Sequence, residues 1–516
     1  MPVQLSYPGV YVEELSSGVR TITGVPTSVT AFVGRALRGP LHKPVTLNSY
    51  ADFERAFGGL WQESHLGYSV RDFFQQGGGT ALVVRVHADA ANDTATLALG
   101  ADDRRLGLEA ASPGAWGSKL KALVDNDVRL NADGTKDPTL FNLTVTDTAT
   151  GTVEIFRNVS FATGAARRVD IVLAAESTLV RVDGTLPTQP QSSFPMEDNT
   201  PAGGNDGAPT TTAADITTGA NFQKDKKGLY ALDHADLFNL LVIPPYTGTG
   251  DVGERDVEPA VVTEAIRYAT DRRAVVILDP PQSWTTVEEA EDDAGSTFTS
   301  SKNAAVYFPR VRQPDPLRDN QVMRFAPSGA VAGVISRTDA NRGVWKAPAG
   351  LDATLAGVTE LALPLTDGEI GQLNPVAVNC LRVAPGAGHV VWGARTRNGA
   401  DRIASEWKYL PVRRTALFIE ESLFRGIQWA VFEPNDEPLW AQLRLNIGAF
   451  LNNLFRQGAF QGKTQRDAYF VKCDATTTTQ TDINLGVVNI HVGFAPLKPA
   501  EFVVLRLQQI AGQIPA

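Results

Sequence analysis

The residue types that do chemistry are spread through this chain without the spacing that chemistry requires. The segment Gly458-Ala459-Phe460-Gln461-Gly462-Lys463-Thr464 comes nearest to a catalytic motif. A phosphate-cradling loop needs four residues between its glycines, so that successive backbone N–H groups wrap the phosphate, and a strand leading into it. Here three residues separate the glycines and a helical pattern precedes them, which argues against nucleotide binding. No G-x-S-x-G elbow, H-E-x-x-H pair or C-x-x-C pair occurs. The six histidines, at 42, 65, 87, 234, 389 and 491, have no ligand-like spacing. The acidic pairs Glu13-Glu14, Glu288-Glu289 and Glu420-Glu421 read as solvated faces. Cys380 and Cys473 are the only two thiols, and they suit buried positions in a reducing compartment better than a bridge. The residues thus give no catalytic set, no metal ligands and no cofactor motif.

The 516 residues are too many for one ordinary core and suggest about three domains. A net charge of −10 argues against a nucleic-acid backbone as the main partner. No segment approaches the ~20 apolar residues of a membrane span, since runs such as Leu237 to Ile243 end at prolines. Met1-Pro2-Val3-Gln4 has neither a basic stretch nor a long apolar one after it. The expectation is synthesis in a cytoplasm without a signal peptide.

Residues 28 to 35 read as a strand ending at glycine. A helix is expected over Ser49 to Phe57, capped by Asn48 or Ser49 and stopped by Gly58-Gly59, with another over Ser69 to Gln76. Ala81 to Val86 reads as a buried strand, and this β-α-α-β opening points to a mixed α/β core. From about Ala88 to Lys227 the pattern changes to β-like runs at Lys119–Leu130, Leu140–Thr146 and Thr152–Arg157, then a loose 184–220 stretch. The α/β pattern resumes with a strand at Leu237–Ile243, a helix at Glu258–Thr270 and a strand at Ala274–Leu278, a spacing that suits parallel strands. A β-poor stretch leads to two strong helices. Val412–Phe432 places Val412, Ala416, Ile419, Leu423, Ile427 and Ala430 on one face and Arg413, Arg414 and Arg425 elsewhere. Leu439–Phe455 starts at Asn435 or Asp436 with Pro438.

Each end carries a short β-like run that nothing nearby can pair with. Tyr7-Pro8-Gly9-Val10-Tyr11-Val12-Glu13-Glu14 has Val10, Tyr11, Val12 and Glu13 as pairing residues, followed by a hinge at Ser16-Ser17-Gly18. Phe502-Val503-Val504-Leu505-Arg506-Leu507 follows two prolines, with Val503, Leu505 and Leu507 on one face and Phe502 leading in. A lone strand exposes unpaired backbone groups. It either tucks onto its own domain or completes a sheet in a neighbour.

Several blocks, in order, resemble the contractile tail sheath protein family of phage tails, R-type pyocins and extracellular contractile injection systems. They are the opening Tyr7–Glu14 with Ile22 to Gly34, Ser112-Pro113-Gly114-Ala115-Trp116-Gly117, and Pro327-Ser328-Gly329-Ala330-Val331-Ala332-Gly333. The series continues with Arg342–Gly350, Asn374-Pro375, Asn379-Cys380 and Val391–Thr396. It closes with Trp407-Lys408-Tyr409, Arg413-Arg414, Trp429, Glu433-Pro434-Asn435, Trp440 and Gly462. The matches cover most of the chain outside roughly 120 to 225.

The resemblance implies an α/β and α+β multidomain fold with a subtilisin-like mixed α/β core at 26–88 and 228–380. It implies an inserted, outward-facing β-rich domain at 89–227 and a carboxy-terminal α/β domain facing the tube at 381–495. Extended linking arms occupy 1–25 and 496–516. It also implies a structural subunit that stacks as hexameric rings around an inner tube protein and contracts from a metastable state, not an enzyme. Partners would be further copies, the tube, and baseplate and terminal cap proteins, with no nucleic acid, no membrane insertion and no cofactor. The subtilisin likeness names a fold, since Ser328 has no matching His and Asp motifs. Arg413, Arg414 and Arg425 are the tube-facing candidates, against a helix packed wholly inside its own domain. An enzyme of subtilisin-like fold, or a non-contractile surface adhesin using the β-rich insertion, is the competing reading.

Overall fold

The computed structural model describes residues 20–88, 93–100, 104–187, 200–207, 213–219, 221–246 and 255–504. The expected pairing residues Val10, Tyr11, Val12, Glu13, Leu505 and Leu507, and the hinge Ser16-Ser17-Gly18, lie outside them. Two compact units are present, one of residues 27–341 and 348–410, the other of 20–26, 342–347 and the chain from 411 onward.

The larger unit opens with β1 (Thr30–Gly34), β2 (Val45–Leu47), α1 (Tyr50–Phe57), α2 (Leu66–Gln75) and β3 (Ala81–Arg85). Local chemistry sets α1: the Ser49 side chain accepts from the Asp52 N–H, and Gly58 closes the helix at φ +88°. An insertion follows, with β4 (Thr96–Leu99), β5 (Leu106–Ala110), β6 (Leu120–Asp125), β7 (Leu140–Asp147), β8 (Thr152–Ser160), α3 (Val169–Glu176) and β9 (Val180–Val182). It forms two three-stranded sheets, β4-β5-β9 and β6-β7-β8, around its own core, which includes Leu97, Leu108, Val124, Leu143 and Phe156. In β6 the alternation Leu120, Ala122, Val124 turns one face inward.

After a one-turn helix α4 (Phe222–Asp225), the α/β pattern returns. It runs β10 (Leu240–Val242), α5 (Pro259–Asp271), β11 (Val275–Leu278), α6 (Val287–Thr297), β12 (Ala304–Phe308), β13 (Val311–Asp315), β14 (Gln321–Phe325), α7 (Ser328–Arg342), β15 (Glu360–Leu361), α8 (Asp367–Leu373), β16 (Val378–Ala384) and β17 (Gly388–Val391). The central sheet has eight strands in the order β17-β16-β12-β11-β10-β1-β3-β2. It is parallel from β16 to β3, with antiparallel strands at both edges. Alternate residues serve opposite faces. Ala31, Val33, Val276 and Leu278 share a cluster with α5 and α6, whereas Phe32 meets Phe73 of α2 at 5.6 Å. On that second face α7 lies almost on the backbone of α2. A Cβ on Gly329 would come within 2.2 Å of the Ser69 carbonyl oxygen, so only glycine fits there.

The smaller unit carries α9 (Leu410–Gly426, from residue 411), α10 (Glu437–Arg456), α11 (Gln465–Ala468), β18 (Tyr469–Lys472), α12 (Gln480–Asn484) and β19 (His491–Phe494). Asp436 caps α10 and Pro438 occupies its first turn.

Three expectations need correction. The stretch before residue 412 is not poor in strands, because β12 to β17 lie in it. The 380/381 boundary falls inside β16, which is hydrogen-bonded to β12 in the central sheet, and the smaller unit begins at 411. The first carboxy-terminal helix stops at Gly426, and Phe432, at φ +70°, is outside it. Among the described residues, no helix is long and apolar enough to cross a membrane.

Candidate assembly interface

The residues that could do covalent chemistry are engaged in holding the fold. The Ser328 hydroxyl donates to Asp279 Oδ2 at 2.7 Å and its N–H donates to Oδ1 at 2.8 Å, so the aspartate caps α7. Burial pushes the Asp279 carboxyl up to about 6, with the serine bonds and Arg310 opposing the shift. At the carboxyl ends of the parallel strands, Arg85 donates to the carbonyls of Ala36, Gly39 and Pro113 at 2.8–2.9 Å. Arg35 donates to the Glu63 and Asp206 carbonyls, and Arg310 to the Pro280 carbonyl and Asp256. His87 Nε2 lies 3.0 Å from Asp93 Oδ2. Among the described residues, no group of three or more His, Cys, Asp or Glu side chains is arranged to hold a metal ion.

The Gly458–Thr464 segment is likewise structural. Gly458 follows α10 at φ +80°, Phe460 is buried in the smaller unit's core, and Thr464 forms a capping box with Asp467 at α11. Cys380 and Cys473 are buried free thiols, and burial raises both.

What the smaller unit leaves unsatisfied is backbone pairing. β18 and β19 form an antiparallel ribbon in the register Tyr469↔Phe494, Phe470↔Gly493, Val471↔Val492 and Lys472↔His491. Tyr469, Val471, Val492 and Phe494 pack onto a core of Ile419, Ile447, Phe450, Leu451 and Leu454. On the other face, the exposed Phe470 ring covers Gly493. Neither strand has a second ladder partner among the described residues, so the outer edges along β18 and β19 are open up to Ala495, whose carbonyl accepts from the Gln461 N–H at 2.9 Å. A two-stranded ribbon is marginal unless strands are added or a core supports one face, and here the core supplies that support.

Beyond the ribbon, Phe502, Val503 and Val504 are 74%, 89% and 77% exposed and belong to no strand. Three consecutive large apolar side chains in water are a run that the described residues of one copy do not bury.

The entry of the chain into this unit is held firmly. The Arg20 N–H donates to Asn446 Oδ1 at 3.1 Å, and its guanidinium stacks 4.5 Å over the Trp429 ring. Ile22 is buried in the same core that supports the ribbon. The Val25 N–H donates to the Ser422 hydroxyl at 3.2 Å. Gly426 has no side chain because Ile22 occupies the space, its Cγ2 2.6 Å from where a Cβ would stand.

Two of the three arginine candidates are not at the surface. Arg413 and Arg414 are 5% and 4% exposed, and Arg413 donates to Glu420 at 3.3 Å, with burial lowering its pKa. The amphipathic reading missed this because the first turns of α9 are buried on every side. Arg425 stays partly exposed and donates to Glu421 at 2.7 Å. Exposed apolar groups lie near it in sequence, alongside the exposed Glu420, Gln428 and Glu433: Phe424 is half exposed, Val431 64% and Phe432 fully exposed. Gly426 and the Glu433-Pro434-Asn435 turn are the sequence signals that end the helix early and project Phe432.

Residues 234–397 match the model of the phage tail sheath protein central domain, and residues 404–510 that of the phage tail sheath C-terminal domain. Together the two span more than half of the chain. The tail sheath protein of Vibrio phage KVP40 is 24% identical over 290 residues, which is 50% of this chain and 41% of that relative's length. The sheath complex of an extracellular contractile injection system (PVC), in its contracted state, superposes with a TM-score of 0.59 at 24% identity, covering 98% of this chain and 99% of that one. The contracted helical sheath of the anti-feeding prophage gives a TM-score of 0.59 at 23% identity, with 98% and 99% coverage. A sheath tail protein from Listeria innocua gives 0.59 at 16% identity, with 92% and 96% coverage. These structural likenesses establish the fold.

Proposed function

Because the chain belongs to the phage tail sheath protein family, we propose that it is the structural subunit of a contractile sheath, joined to its neighbours by its terminal arms. The observation that carries the reading is the β18–β19 ribbon with two open edges, beside an unburied Phe502-Val503-Val504 run in the same unit. Strands supplied by neighbours would complete the ribbon and bury that run. Each added backbone hydrogen bond contributes about 0.5–1.5 kcal/mol net, so a four-residue strand adds a few kcal/mol before side-chain burial. A head-to-tail exchange of this kind propagates into an open helical stack. Val10, Tyr11, Val12 and Glu13 at one end, and Phe502, Val503, Leu505 and Leu507 at the other, are the proposed pairing strands, with Ser16-Ser17-Gly18 as the turning point.

The partners in this reading are further copies in hexameric rings, an inner tube protein, and baseplate and terminal cap proteins. The surface offered to the tube is the Arg425 end of α9 with Phe424, Val431 and Phe432. Contraction would release energy held in a trapped extended state, with no nucleotide consumed at the sheath. The subunit acts as a mechanical element and not as an enzyme, and the particle that carries it is a phage tail or tail-like injection device.

Electron microscopy of the purified full chain, with and without its tube partner, tests this. Striated hollow tubes are expected, reduced to rings or monomers by deletion of residues 1–20 or by Phe502→Asp with Val504→Asp. Uniform monomers of the full chain at high concentration, with the tube present, would overturn the proposal.

A further inference from the structure

The backbone of the β18–β19 ribbon fixes which of its groups face outward for pairing. The Ala495 N–H donates to the Ala468 carbonyl at 2.8 Å, one step beyond the Tyr469↔Phe494 pair. Hydrogen-bonded pairs in an antiparallel ladder recur at every second residue, so they fall at Phe470↔Gly493 and Lys472↔His491. The N–H and C=O groups of Val492 and Phe494 therefore point to the outer edge of β19. That edge closes at Ala495, whose carbonyl accepts from the Gln461 N–H.

Side chains along the ribbon alternate with the same period. Val492 and Phe494 pack toward the core, with Tyr469 and Val471. The opposite face carries two rows. In one, the exposed Phe470 ring covers Gly493, where a Cβ would come within 2.1 Å of Phe470 Cε1. In the other, Lys472 and His491 stand side by side, both exposed and neither in an ion pair among the described residues. Beyond Lys472, the Asp474 carboxylate accepts from the Thr476 N–H at 2.8 Å and its hydroxyl at 2.6 Å. Those bonds, with Lys472 behind them, hold that carboxyl below its usual range.

The amino-terminal run has a pattern that fits these rows. In Val10-Tyr11-Val12-Glu13 the valines share one face, and Tyr11 and Glu13 share the other. Laid antiparallel along β19, with Val12 opposite Val492 and Val10 opposite Phe494, the valines continue the core side. Tyr11 then stands by Gly493 and Phe470, and Glu13 by His491 and Lys472. A slip of one residue would turn both valines out and bring Glu13 over the apolar side. A slip of two would either run Val10 past the closed edge or set Pro8, which has no N–H, at Phe494. The same run antiparallel on β18 would leave Glu13 away from Lys472 and His491, and a parallel addition there is less stable per residue.

We infer that the outer edge of β19 takes Val10–Glu13 of a second copy as an antiparallel third strand, with Tyr11 against Phe470 and Glu13 against His491 and Lys472. This pairing rests on the reading of the chain as a subunit joined by its arms. The aromatic and basic rows give that joint its edge, direction and register.

Cysteine pairs in the full chain test it. Residues opposite each other in a non-hydrogen-bonded pair have Cα atoms about 4.5 Å apart, within reach of a disulfide. Glu13→Cys with His491→Cys should therefore oxidise into chain-to-chain ladders on a denaturing gel, and the native Cys380 and Cys473 are buried. Glu13→Cys with Lys472→Cys lies one strand farther and should cross-link roughly tenfold less. Independently, Glu13→Lys should raise the concentration needed for assembly about fivefold, and adding Lys472→Glu with His491→Glu to the same chain should restore it. A link formed within one chain, a stronger link to position 472, no link in normally assembled tubes, or unimpaired assembly of Glu13→Lys overturns the inference. In each of those cases wild-type tubes leave the sheath reading standing. A wild-type chain that never assembles removes both.

Discussion

Replacing Ile22 with alanine should free the root of the amino-terminal arm without unfolding the unit that holds it. Ile22 is 6% exposed among Ile419, Ile447 and Phe450, and its neighbours Arg20 and Val25 add one backbone hydrogen bond each. Truncating a buried isoleucine to alanine removes about 2–3 kcal/mol at the lower part of its usual range. At 1.4 kcal/mol per tenfold, that raises the population of the opened segment roughly 30- to 150-fold. Trypsin reads this directly, because cleavage after Arg20 requires the segment around Thr21 and Ile22 to leave its seat, and slow cleavage follows the open population. Gly426→Ala should act alike from the other side, since its methyl would enter the space of Ile22 Cγ2 and Cγ1 at 2.6 and 2.8 Å. Ile22→Val, losing about 1 kcal/mol, should give about fivefold. The melting temperature should fall by less than the local figure implies, because the segment opens below the global unfolding energy. Unchanged cleavage in both Ile22→Ala and Gly426→Ala, or cleavage rising only in step with global unfolding, would refute the idea that the root is a separate, docked strap.

Two further perturbations read other parts of the molecule. Burial raises Asp279 from the ordinary 3.8 to about 6 in the folded chain, so the folded state binds its proton more tightly. Its contribution is full below about pH 4 and lost as pH rises through about 6, by up to about 3 kcal/mol on the linkage relation. Asp279→Asn should flatten that part of the stability profile, measured by denaturant unfolding from pH 4 to 7; an unchanged slope would dismiss the buried-carboxylate account. Phe432→Gly relieves a bulky residue at φ +70° and removes no buried surface, so stability should hold or rise by about 1 kcal/mol. Tube pull-down should weaken at the same time, and undiminished tube capture would take Phe432 out of the docking surface.

How much was legible in the sequence divides along local and nonlocal lines. α1, α5 and α10 were readable because each end carries its own chemistry, Ser49 and Gly58, Pro259, and Asp436 with Pro438. β12 and β16 were not, since Ala304–Phe308 is a short run buried on both faces and β16 hides a polar Asn379. That asparagine is satisfied by the Val306 and Arg395 carbonyls, partners that only the tertiary fold supplies. α7 reads as a motif and not as a helix, because Ser328 to Ser336 are buried all round with no polar stripe to mark a period. At the interface, the apolar character of the carboxy-terminal run was plain in the sequence. The burial of Arg413 and Arg414 was not, because charge type predicts exposure only until a partner such as Glu420 is folded beside it.

Strand order reverses between β1 and β10, and in open parallel sheets ligands enter beyond the carboxyl ends of the strands at such a point. Here guanidinium groups stand around the strand ends, beside a cavity lined by Ile243, Asp256, Leu278 and Asp279. Arg35 follows β1, Arg85 ends β3 and Arg310 follows β12, and each donates to loop carbonyls, Arg310 to the Asp256 carboxylate as well. Arg85 is so withdrawn from water that burial lowers it to about 10. These bonds tie the loops around the strand ends to one another, which suits a body that must move as one piece under load. In the smaller unit, β18 and β19 each have only one ladder partner among the described residues. An edge strand is a hazard for a protein that works alone and a coupling for one that works in a stack.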